Sequence, residues 1–294
     1  MIENFIKNYE YYKNISLKKY NTYRLDVTCE YLIFPNTIKE LVDLIKYLRE
    51  NKIKYLILGG GSNIILSKPY FDVVIKLDRL NKITINDNIV TGEAGVSLIH
   101  LANICMENNL SGLAFAGGIP GLLGASTAMN AGAYKEAMSD VVKEVKALTP
   151  DGKIITMKNE ELEYAYRDSF LKKHKDYICL ETTLSLTLSD KNSIKKLMDS
   201  RKQRRIESQP LDRPSAGSVF RNPEGLSAGK LIEDLGLKGY SVGGAQISEK
   251  HANFIINTGS ATYEDILELI EYVKNKVKKE YNIELILEQE IIRW

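Results

Sequence analysis

Glycine is concentrated in two short segments, and this constrains the fold more than any other feature of the sequence. Eight of the 20 glycines lie in Gly59-Gly60-Gly61-Ser62-Asn63 or in the segment 117–132, GGIPGLLGASTAMNAG. Because glycine loses more conformational freedom on folding than other residues, such clusters indicate tight turns or a close approach of the backbone to another group. We therefore expect the backbone of both segments to line a binding site.

The first glycine segment lies between two sequences that predict strands. Residues 54–58 (KYLIL) predict a buried strand, and the residues after Asn63 (IILS) favour a second one. A Rossmann motif would open a helix at this point, so that motif is excluded. In a strand-loop-strand arrangement, the glycine N–H groups and the side chains of Ser62 and Asn63 can surround an anion such as a pyrophosphate. An ordinary glycine-rich hairpin is the alternative.

The second segment combines a constrained turn with small side chains. Gly117, Gly118, Pro120 and Gly121 predict the turn, and residues 123–133 are mostly small. Small side chains would let a flat ligand approach the backbone, although close packing of a helix on a sheet is the alternative. Together, the two segments indicate a long ligand that contains a diphosphate.

The amino-acid composition and net charge of the chain limit the kinds of molecule that it can bind. Hydrophobic residues make up 44% and charged residues 27% of the chain, as in ordinary globular proteins. The net charge of +2 is too small for the broad cationic face that nucleic acids or anionic membranes require, so we expect neither partner. The N-terminal residues contain no apolar signal core, which predicts a cytoplasmic protein.

The cysteines and histidines predict neither disulfides nor a metal centre. Cys29, Cys105 and Cys179 are scattered, odd in number and without the spacing of metal ligands. Cys105 and Cys179 lie in apolar stretches, so we expect buried thiols there. The three histidines are equally dispersed, and we expect no bound metal.

Apolar periodicity predicts a chain that mixes helices and strands. Helices are predicted over 38–50, 96–108, 193–207, 227–235 and 263–280, and strands over 54–58, 72–77, 82–92, 140–149, 153–157, 177–188, 252–257 and 283–292. The sequence Pro150-Asp151-Gly152 predicts a hairpin turn, and Thr262 with Asp265 predicts a capping box. Helix-breaking residues at 209–214 place a domain boundary near residue 205.

The order of eight motifs resembles a known enzyme family. The motifs are YNTYRLDV (20–27), LGGGSNIILS (58–67), AGGIPGLLGASTAMNAGAY (116–134), YRDSF (166–170), PSAGSVFRNP (214–223), AGKLIEDLGLKG (228–239), ISEKHANFIIN (247–257) and LEQEI (287–291). Together they resemble the UDP-N-acetylenolpyruvoylglucosamine reductases, the MurB family, in its shorter form. YRDS and PSAGSVF followed by NP are the most specific of these motifs, whereas loops like GGGSN also occur in other flavin enzymes.

The resemblance implies a fold, a reaction and a set of cofactor contacts. The fold would be α+β, with an FAD-binding body of the PCMH or vanillyl-alcohol-oxidase type over 1–205 (two α+β subdomains) and a small α/β substrate domain over 206–294. NADPH would reduce bound FAD, and UDP-N-acetylglucosamine enolpyruvate would then be reduced to UDP-N-acetylmuramate for peptidoglycan synthesis. The implied cofactor contacts are Gly59, Gly60, Gly61, Ser62, Asn63, Gly117, Gly118, Ile119, Pro120, Gly124 and Ala125.

The resemblance also implies three catalytic side chains. Hydride addition to an enolpyruvyl ether builds negative charge beside the carboxylate, and this charge must be stabilised and protonated. Arg167 would hold the carboxylate, Ser218 would donate the proton, and Glu290 would polarise the carboxylate side or relay a proton. Because alternation along a strand places Glu288 and Glu290 on one face, the pattern alone leaves both open.

We expect Asn222, Lys238 and Arg205 to bind the diphosphate and uridine of the substrate. His251 is expected to be a buried histidine with satisfied hydrogen bonds.

A flavin oxidase or dehydrogenase of a small hydroxy compound is the alternative function, and a non-enzymatic binding module is a third. The short C-terminal region and the absence of histidine in GGGSN disfavour the oxidase. We expect a monomer.

Overall fold

The computed structural model describes residues 2–293. The helices are α1 (Ile2–Ile6), α2 (Ile38–Glu50), α3 (Leu98–Glu107), α4 (Leu123–Ala128), α5 (Phe170–Lys173), α6 (Lys191–Ser208), α7 (Ala228–Asp234) and α8 (Tyr263–Tyr281). The strands are β1 (Glu10–Ser16), β2 (Thr28–Phe34), β3 (Tyr55–Leu58), β4 (Ile64–Leu66), β5 (Tyr70–Lys76), β6 (Ile83–Asn86), β7 (Ile89–Glu93), β8 (Leu110–Ser111), β9 (Gly132–Ala133), β10 (Glu136–Ala137), β11 (Val142–Leu148), β12 (Ile154–Lys158), β13 (Ile178–Ser185), β14 (Thr187–Leu188), β15 (Ser241–Val242), β16 (Ala245–Ile247), β17 (Ile255–Asn257) and β18 (Glu290–Ile292). Short 3-10 helices cover Lys18–Tyr20, Ala116–Gly118, Met138–Asp140 and Asn159–Leu162.

The chain divides into two compact units. The first unit comprises residues 1–13, 31–59 and 72–203, and the second comprises 14–30, 60–71 and 204–294. The division between residues 203 and 204 lies close to the predicted boundary at 205. The second unit, however, also includes two segments from the N-terminal part of the chain, which linear composition does not reveal.

The first unit is built around a five-stranded antiparallel sheet in the order β12-β11-β13-β7-β6. One apolar cluster contains residues of α3, α4 and this sheet, including Val90, Leu101, Leu123 and Val145, which are all fully buried. A second cluster contains the apolar face of α2 and residues of β2 and β5. Here β3 and β5 pair in parallel, with Tyr55 opposite Val73, in a four-stranded sheet of order β1-β2-β5-β3.

The second unit contains short strands and two helices. An antiparallel sheet has the order β15-β16-β17, and β4 pairs in parallel with β18, with Ile64 opposite Glu290. The predicted capping box begins α8: the Thr262 hydroxyl accepts from the Asp265 N–H at 3.2 Å, and the Asp265 carboxylate accepts from the Thr262 N–H at 3.0 Å. Such reciprocal bonds satisfy donors that helix geometry leaves unpaired.

Three predicted strands have wrong extents. The strand predicted over 82–92 is a hairpin of β6 and β7, because Asp87 adopts φ +54° and the chain turns there. The strand predicted over 177–188 is divided into β13 and β14. The strand predicted over 283–292 is ordered as a strand only at Glu290–Ile292, because residues 286–288 instead bond to the single segment 219–221. The turn at 150–152 joins β11 and β12 as predicted.

The cysteine prediction is confirmed, since Cys105 and Cys179 are buried free thiols, as is Cys29. Burial raises the pKa of each thiol to about 12. Within residues 2–293, no group of three or more His, Cys, Asp and Glu side chains is arranged to hold a metal ion. No helix in the same range has the length and apolar character needed to cross a membrane.

Candidate active site

The first glycine loop requires glycine at position 61. Gly61 has φ +64°, and a Cβ atom there would lie 2.3 Å from the Tyr20 carbonyl oxygen. The Gly61 carbonyl oxygen accepts hydrogen bonds from the Thr22 N–H (3.0 Å) and hydroxyl (3.1 Å). Because both the backbone conformation and the close contact exclude a side chain, the loop keeps its shape only with glycine.

Two N–H groups of the same loop, those of Gly60 and Gly61, are available to a ligand. Gly60 and Gly61 donate no backbone hydrogen bond to any of residues 2–293. A pyrophosphate accepts hydrogen bonds from such N–H groups, so the loop fits the diphosphate of FAD. Asn63 also makes bonds within the second unit, since its Nδ2 donates to the Glu288 carbonyl at 3.1 Å and its own carbonyl accepts from the Glu290 N–H at 2.9 Å. Its contact with the cofactor stays a prediction.

Gly59, which ends the first unit's part of the loop, is fixed by a buried lysine. Lys76 Nζ donates to the Gly59 carbonyl at 2.5 Å and lies 3.2 Å from the Asp78 carboxylate. Burial lowers the pKa of Lys76, and the charge of Asp78 opposes that shift. A Cβ atom at Gly59 would lie 3.1 Å from the Ala125 Cβ, so Gly59 packs closely on α4.

The second glycine segment forms the 3-10 helix Ala116–Gly118 and then α4. A Cβ atom at Gly124 would lie 2.7 Å from the Ala94 Cβ, and the Gly124 N–H donates to the Ala94 carbonyl at 2.9 Å. Close packing of a helix therefore accounts for Gly124. The Gly117 N–H donates no backbone hydrogen bond within residues 2–293, which leaves it available to a ligand.

Ser218 lies in an irregular segment of the second unit. Gly217 before it has φ +75°, and Ser218 itself forms an isolated antiparallel bridge with Phe254. After it, the Val219 N–H donates to the Asn253 carbonyl at 2.9 Å. The Ser218 side chain is half-buried, and its hydroxyl makes no hydrogen bond to another residue of the range 2–293. The backbone of Ser218 is thus held in place, while its hydroxyl proton remains available to a ligand.

Glu290 is brought to the same part of the second unit. Its N–H donates to the Asn63 carbonyl at 2.9 Å, which starts the pairing of β18 with β4. The neighbouring Gln289 donates from Nε2 to the Gly217 carbonyl at 3.1 Å, so Glu290 and Ser218 lie on directly bonded segments. Glu288 lies before β18 begins, and its N–H donates to the Val219 carbonyl at 2.9 Å.

Arg167 belongs to the first unit. Its guanidinium donates to the carbonyl oxygens of Gly132 and Asn130 and lies 5.1 Å from the Tyr166 ring centre. Arg167 has φ +55°, a left-handed conformation that few non-glycine residues adopt. Its guanidinium is therefore oriented by backbone carbonyls and an aromatic ring. Whether Arg167 meets Ser218 and Glu290 on one substrate stays a prediction.

The expected substrate-binding residues already have protein contacts. Lys238 Nζ pairs with the Glu233 carboxylate at 2.7 Å, and the Asn222 side-chain oxygen accepts from the Ala228 N–H at 3.0 Å at the start of α7. Arg205 lies half-buried in the last turn of α6. His251 is half-buried, whereas a buried histidine was expected, and its Nδ1 accepts from the Asn253 N–H at 3.2 Å.

Three buried residues of these loops were not singled out by the sequence: Tyr23, Lys76 and Gln289. The Tyr23 hydroxyl donates to Gln289 Oε1 at 3.0 Å, and burial raises the pKa of Tyr23, so it stays protonated. Lys76 is a charged residue between Ile75 and Leu77 at the end of β5, and Gln289 stands between two glutamates, so each carries a signal in hindsight. Tyr23 carries none, since the chain contains 17 tyrosines.

Comparisons with known proteins decide the family. A model of the C-terminal domain of UDP-N-acetylenolpyruvoylglucosamine reductase matches residues 209–292, and a model described as an FAD binding domain matches 29–158. The UDP-N-acetylenolpyruvoylglucosamine reductase of Caldanaerobacter subterraneus subsp. tengcongensis is 44% identical over 292 residues, which are 99% of this chain and 96% of that protein. This chain belongs to the UDP-N-acetylenolpyruvoylglucosamine reductase family.

Further relatives agree with membership of the reductase family. The protein of that name from Clostridium novyi is 41% identical over 292 residues, covering 99% of this chain and 95% of the relative. The crystal structure of the reductase (MurB) from Thermus caldophilus matches with a TM-score of 0.81 and 33% identity, over 97% of this chain and 99% of that one. The predicted α+β fold with a PCMH/VAO-type FAD-binding region is confirmed.

A more distant likeness concerns the fold alone. BBE-like 1 of Physcomitrella patens matches with a TM-score of 0.50 and 16% identity, over 64% of this chain and 44% of that one. Identity at this level supports the shared FAD-binding fold and no shared substrate. Since the full-length relatives are reductases, the alternative of an oxidase acting on a small hydroxy compound is not favoured. The FAD-binding model spans both glycine segments, as expected for a flavoprotein.

Proposed function

We propose that this chain reduces UDP-N-acetylglucosamine enolpyruvate to UDP-N-acetylmuramate, a step of peptidoglycan precursor synthesis, with NADPH as hydride donor. The observation that carries the proposal is the 44% identity with a reductase of this name over 99% of the chain. Bound FAD supplies the redox chemistry by accepting hydride from one substrate and giving it to the other. The chain's own residues bind and orient the substrate, and one of them protonates it.

Ser218 is the proton donor in this proposal. Hydride addition leaves negative charge on the carbon beside the substrate carboxylate, and that carbon must gain a proton. The Ser218 hydroxyl suits this role because it is positioned by the backbone bonds of its neighbours and not engaged with another residue of the range 2–293. A held hydroxyl of small size fits beside a flat ring and transfers its proton without a change of fold.

Glu290 is the acidic partner, as carboxylate-side polariser or proton-relay group. It is anchored by its own N–H to Asn63 and follows Gln289, which is bonded to the Gly217 carbonyl. Glu290 is therefore the better candidate than Glu288, which precedes the ordered strand β18. Arg167 binds the substrate carboxylate, because a planar guanidinium offers two parallel donors to two oxygens as charge spreads into them.

Lys238, Asn222 and Arg205 bind the diphosphate and uridine. Lys238 and Glu233 form a partly exposed pair, which contributes little stability, so a substrate diphosphate can replace the carboxylate as partner. Asn222 uses its side-chain oxygen at α7, which leaves its amide NH₂ for the substrate. Residues 1–205 form the FAD-binding region and residues 206–294 the substrate domain in this proposal, and the protein acts as a monomer in the cytoplasm.

The test measures NADPH oxidation by the FAD-loaded protein under oxygen exclusion, with and without UDP-N-acetylglucosamine enolpyruvate. We expect rapid flavin reduction by NADPH in both cases and sustained NADPH turnover only with the UDP-sugar. UDP-N-acetylglucosamine without the enolpyruvyl group is the matched control. A protein that binds no FAD on reconstitution, or that turns over equally without the enolpyruvyl group, would exclude the proposal.

A further inference from the structure

A buried chain of hydrogen bonds in the second unit connects the segments that carry Ser218 and Glu290. The Tyr23 hydroxyl donates to Gln289 Oε1 (3.0 Å), and Gln289 Nε2 donates to the carbonyl oxygens of Ala216 (3.0 Å) and Gly217 (3.1 Å). Tyr23 is 0% exposed and Gln289 is 3% exposed. Because carbonyl oxygens only accept, the NH₂ of Gln289 must face them, and the carboxamide has one orientation.

The bond to Gly217 acts on the peptide that leads into Ser218. The Gly217 carbonyl shares a rigid peptide plane with the Ser218 N–H, so a donor on that oxygen fixes the orientation of the plane. Gly217 has φ +75°, a conformation that glycine adopts without strain but that leaves its backbone loosely determined. Among the described residues 2–293, the side chain that bonds to this carbonyl is that of Gln289.

Gln289 also immediately precedes Glu290. The Glu290 N–H donates to the Asn63 carbonyl at 2.9 Å, which fixes the start of β18 beside β4. The Gln289 carboxamide therefore acts together with backbone bonds, such as that of the Glu288 N–H to the Val219 carbonyl at 2.9 Å, to set where the backbone of Ser218 lies relative to that of Glu290.

We propose that Gln289 is a positioning residue for the protonation step: its carboxamide orients the Gly217–Ser218 peptide so that the Ser218 hydroxyl and the Glu290 carboxylate address one substrate. Tyr23 fixes the orientation of that carboxamide. The inference rests on the proposed function, in which Ser218 donates the proton. A displacement of about 1 Å at a reacting group can cost on the order of 100-fold in rate. We therefore expect the two hydrogen bonds of the Gln289 side-chain NH₂ to affect the rate of the protonation step.

The direct test is Gln289→Met, which keeps the length of the side chain and removes both donors. We expect kcat with the UDP-enolpyruvyl substrate to fall about 10- to 100-fold, with KM changed by no more than about 2-fold. Flavin reduction by NADPH should be unchanged. Tyr23→Phe, which removes one hydroxyl, should lower the same kcat by about 2- to 10-fold. Equal losses in both half-reactions would overturn the positioning role.

A double-mutant cycle separates positioning from a general structural effect. In a Ser218→Ala background, Gln289→Met should cause no further loss in the second half-reaction, because the group it positions is gone. A loss that multiplies with that of Ser218→Ala would mean that Gln289 acts independently of Ser218, which would overturn the inference. Tyr23→Phe can replace Gln289→Met in the cycle if the latter protein does not fold.

The chain offers a matched control in Asn21. It is another buried carboxamide of the second unit, and its Nδ2 donates to the carbonyl oxygens of Leu17 (2.9 Å) and Leu25 (3.0 Å). Asn21→Leu should lower Tm without a selective loss of the second half-reaction, and an equally selective loss would overturn the inference. If the wild-type holoenzyme fails to turn over the UDP-sugar with NADPH, the proposed function fails, and this appears before any variant is compared.

Discussion

In the first unit, β11 is hydrogen-bonded along both edges by β12 and β13, and apolar clusters pack against this sheet. In the second unit, the segment 216–221 is held by isolated bridges and single backbone bonds to residues 253–254 and 286–288, together with the carboxamides of Asn253 and Gln289. An apolar core is stabilised by many small contacts, whereas an amide bonded to irregular backbone sets one geometry. Substitutions in the apolar clusters of the first unit should therefore change mainly stability, and those beside segment 216–221 mainly chemistry.

We expect the largest effect from Ser218→Ala. This variant tests whether a substitution in segment 216–221 changes the chemistry and leaves the stability unchanged. Removing the proton donor should slow the reduction of the enolpyruvyl substrate by about 10²- to 10⁴-fold. Flavin reduction by NADPH and the urea midpoint should remain near wild type, because the hydroxyl bonds to no other residue of the range 2–293. Single-turnover absorbance measurements follow the two half-reactions separately.

Ser208→Ala is the matched control for Ser218→Ala, since its hydroxyl only donates to the Arg204 carbonyl on exposed α6. This variant should keep both half-reactions. Loss of both half-reactions to the same extent in Ser218→Ala would contradict the assigned role.

Leu44→Ala tests the expectation that a core substitution in the first unit changes mainly stability. Leu44 is 0% exposed within the apolar cluster of the first unit, and its truncation should lower the free energy of unfolding by about 2–5 kcal/mol. The kcat of the folded holoenzyme should stay within about 2-fold, because no catalytic group depends on this side chain. Urea titration measures the stability.

Leu197→Ala removes a leucine that is 43% exposed and should change stability by less than about 0.5 kcal/mol. If Leu44→Ala instead lowered kcat strongly in the folded protein, the division between scaffold and chemistry would be wrong.

Arg167→Lys tests whether a residue of the first unit also contributes to the reaction. The charge is kept but the planar pair of donors is lost, so kcat/KM for the enolpyruvyl substrate should fall about 10- to 100-fold. Arg201→Lys is the control, since Arg201 also lies over a tyrosine ring and forms a bidentate pair with Glu136. That variant should lose a little stability and keep its kcat/KM. Unchanged kinetics in Arg167→Lys would remove it from the site.

The smallest effect concerns pH and His251. Burial, aided by the charge of Lys238, lowers the pKa of His251 below 6.5. The unfolded chain therefore binds more protons than the folded chain as the pH falls through about 6.5, and the free energy of unfolding declines there. His251→Gln keeps an acceptor for the Asn253 N–H and does not titrate.

The free energy of unfolding of this variant should depend less on pH between about 7 and 5 than that of wild type. Denaturant titrations across this range measure the difference, and identical curves for the two proteins would show that His251 is not responsible.

Local patterns predicted the elements of the fold well where they were long and periodic. The apolar stripe of α2 and the capping box of α8 were both readable from single residues at fixed spacing. The turn at Asp87 was missed because a left-handed aspartate carries no strong signal without a following glycine. The strand predicted over 283–292 is too long because its pairing with β4, which lies far away in the chain, begins only at Glu290.

In the candidate site, too, some features could be predicted from local sequence patterns and others could not. The glycine cluster predicts a constrained loop at Gly61, where the structure leaves no room for a side chain. The motif around Ser218 predicts a proton donor there, and this role stays a proposal. The separate bonds of Asn63, Lys76 and Gln289 were not predictable, since each depends on backbone groups that only the folded chain brings together. Hydrogen bonds from side chains to distant carbonyls leave no periodic trace in a sequence.

The three buried thiols make this chain unusually convenient for spectroscopy. Cys29, Cys105 and Cys179 are shielded from solvent and have pKa values of about 12, so the reactive thiolate is scarce at neutral pH. Maleimide reagents should therefore leave the native protein unlabelled and attach to a single engineered surface cysteine. A pair of such sites, one in each unit, would carry donor and acceptor dyes, and energy transfer between them would report how the units move when nucleotides bind.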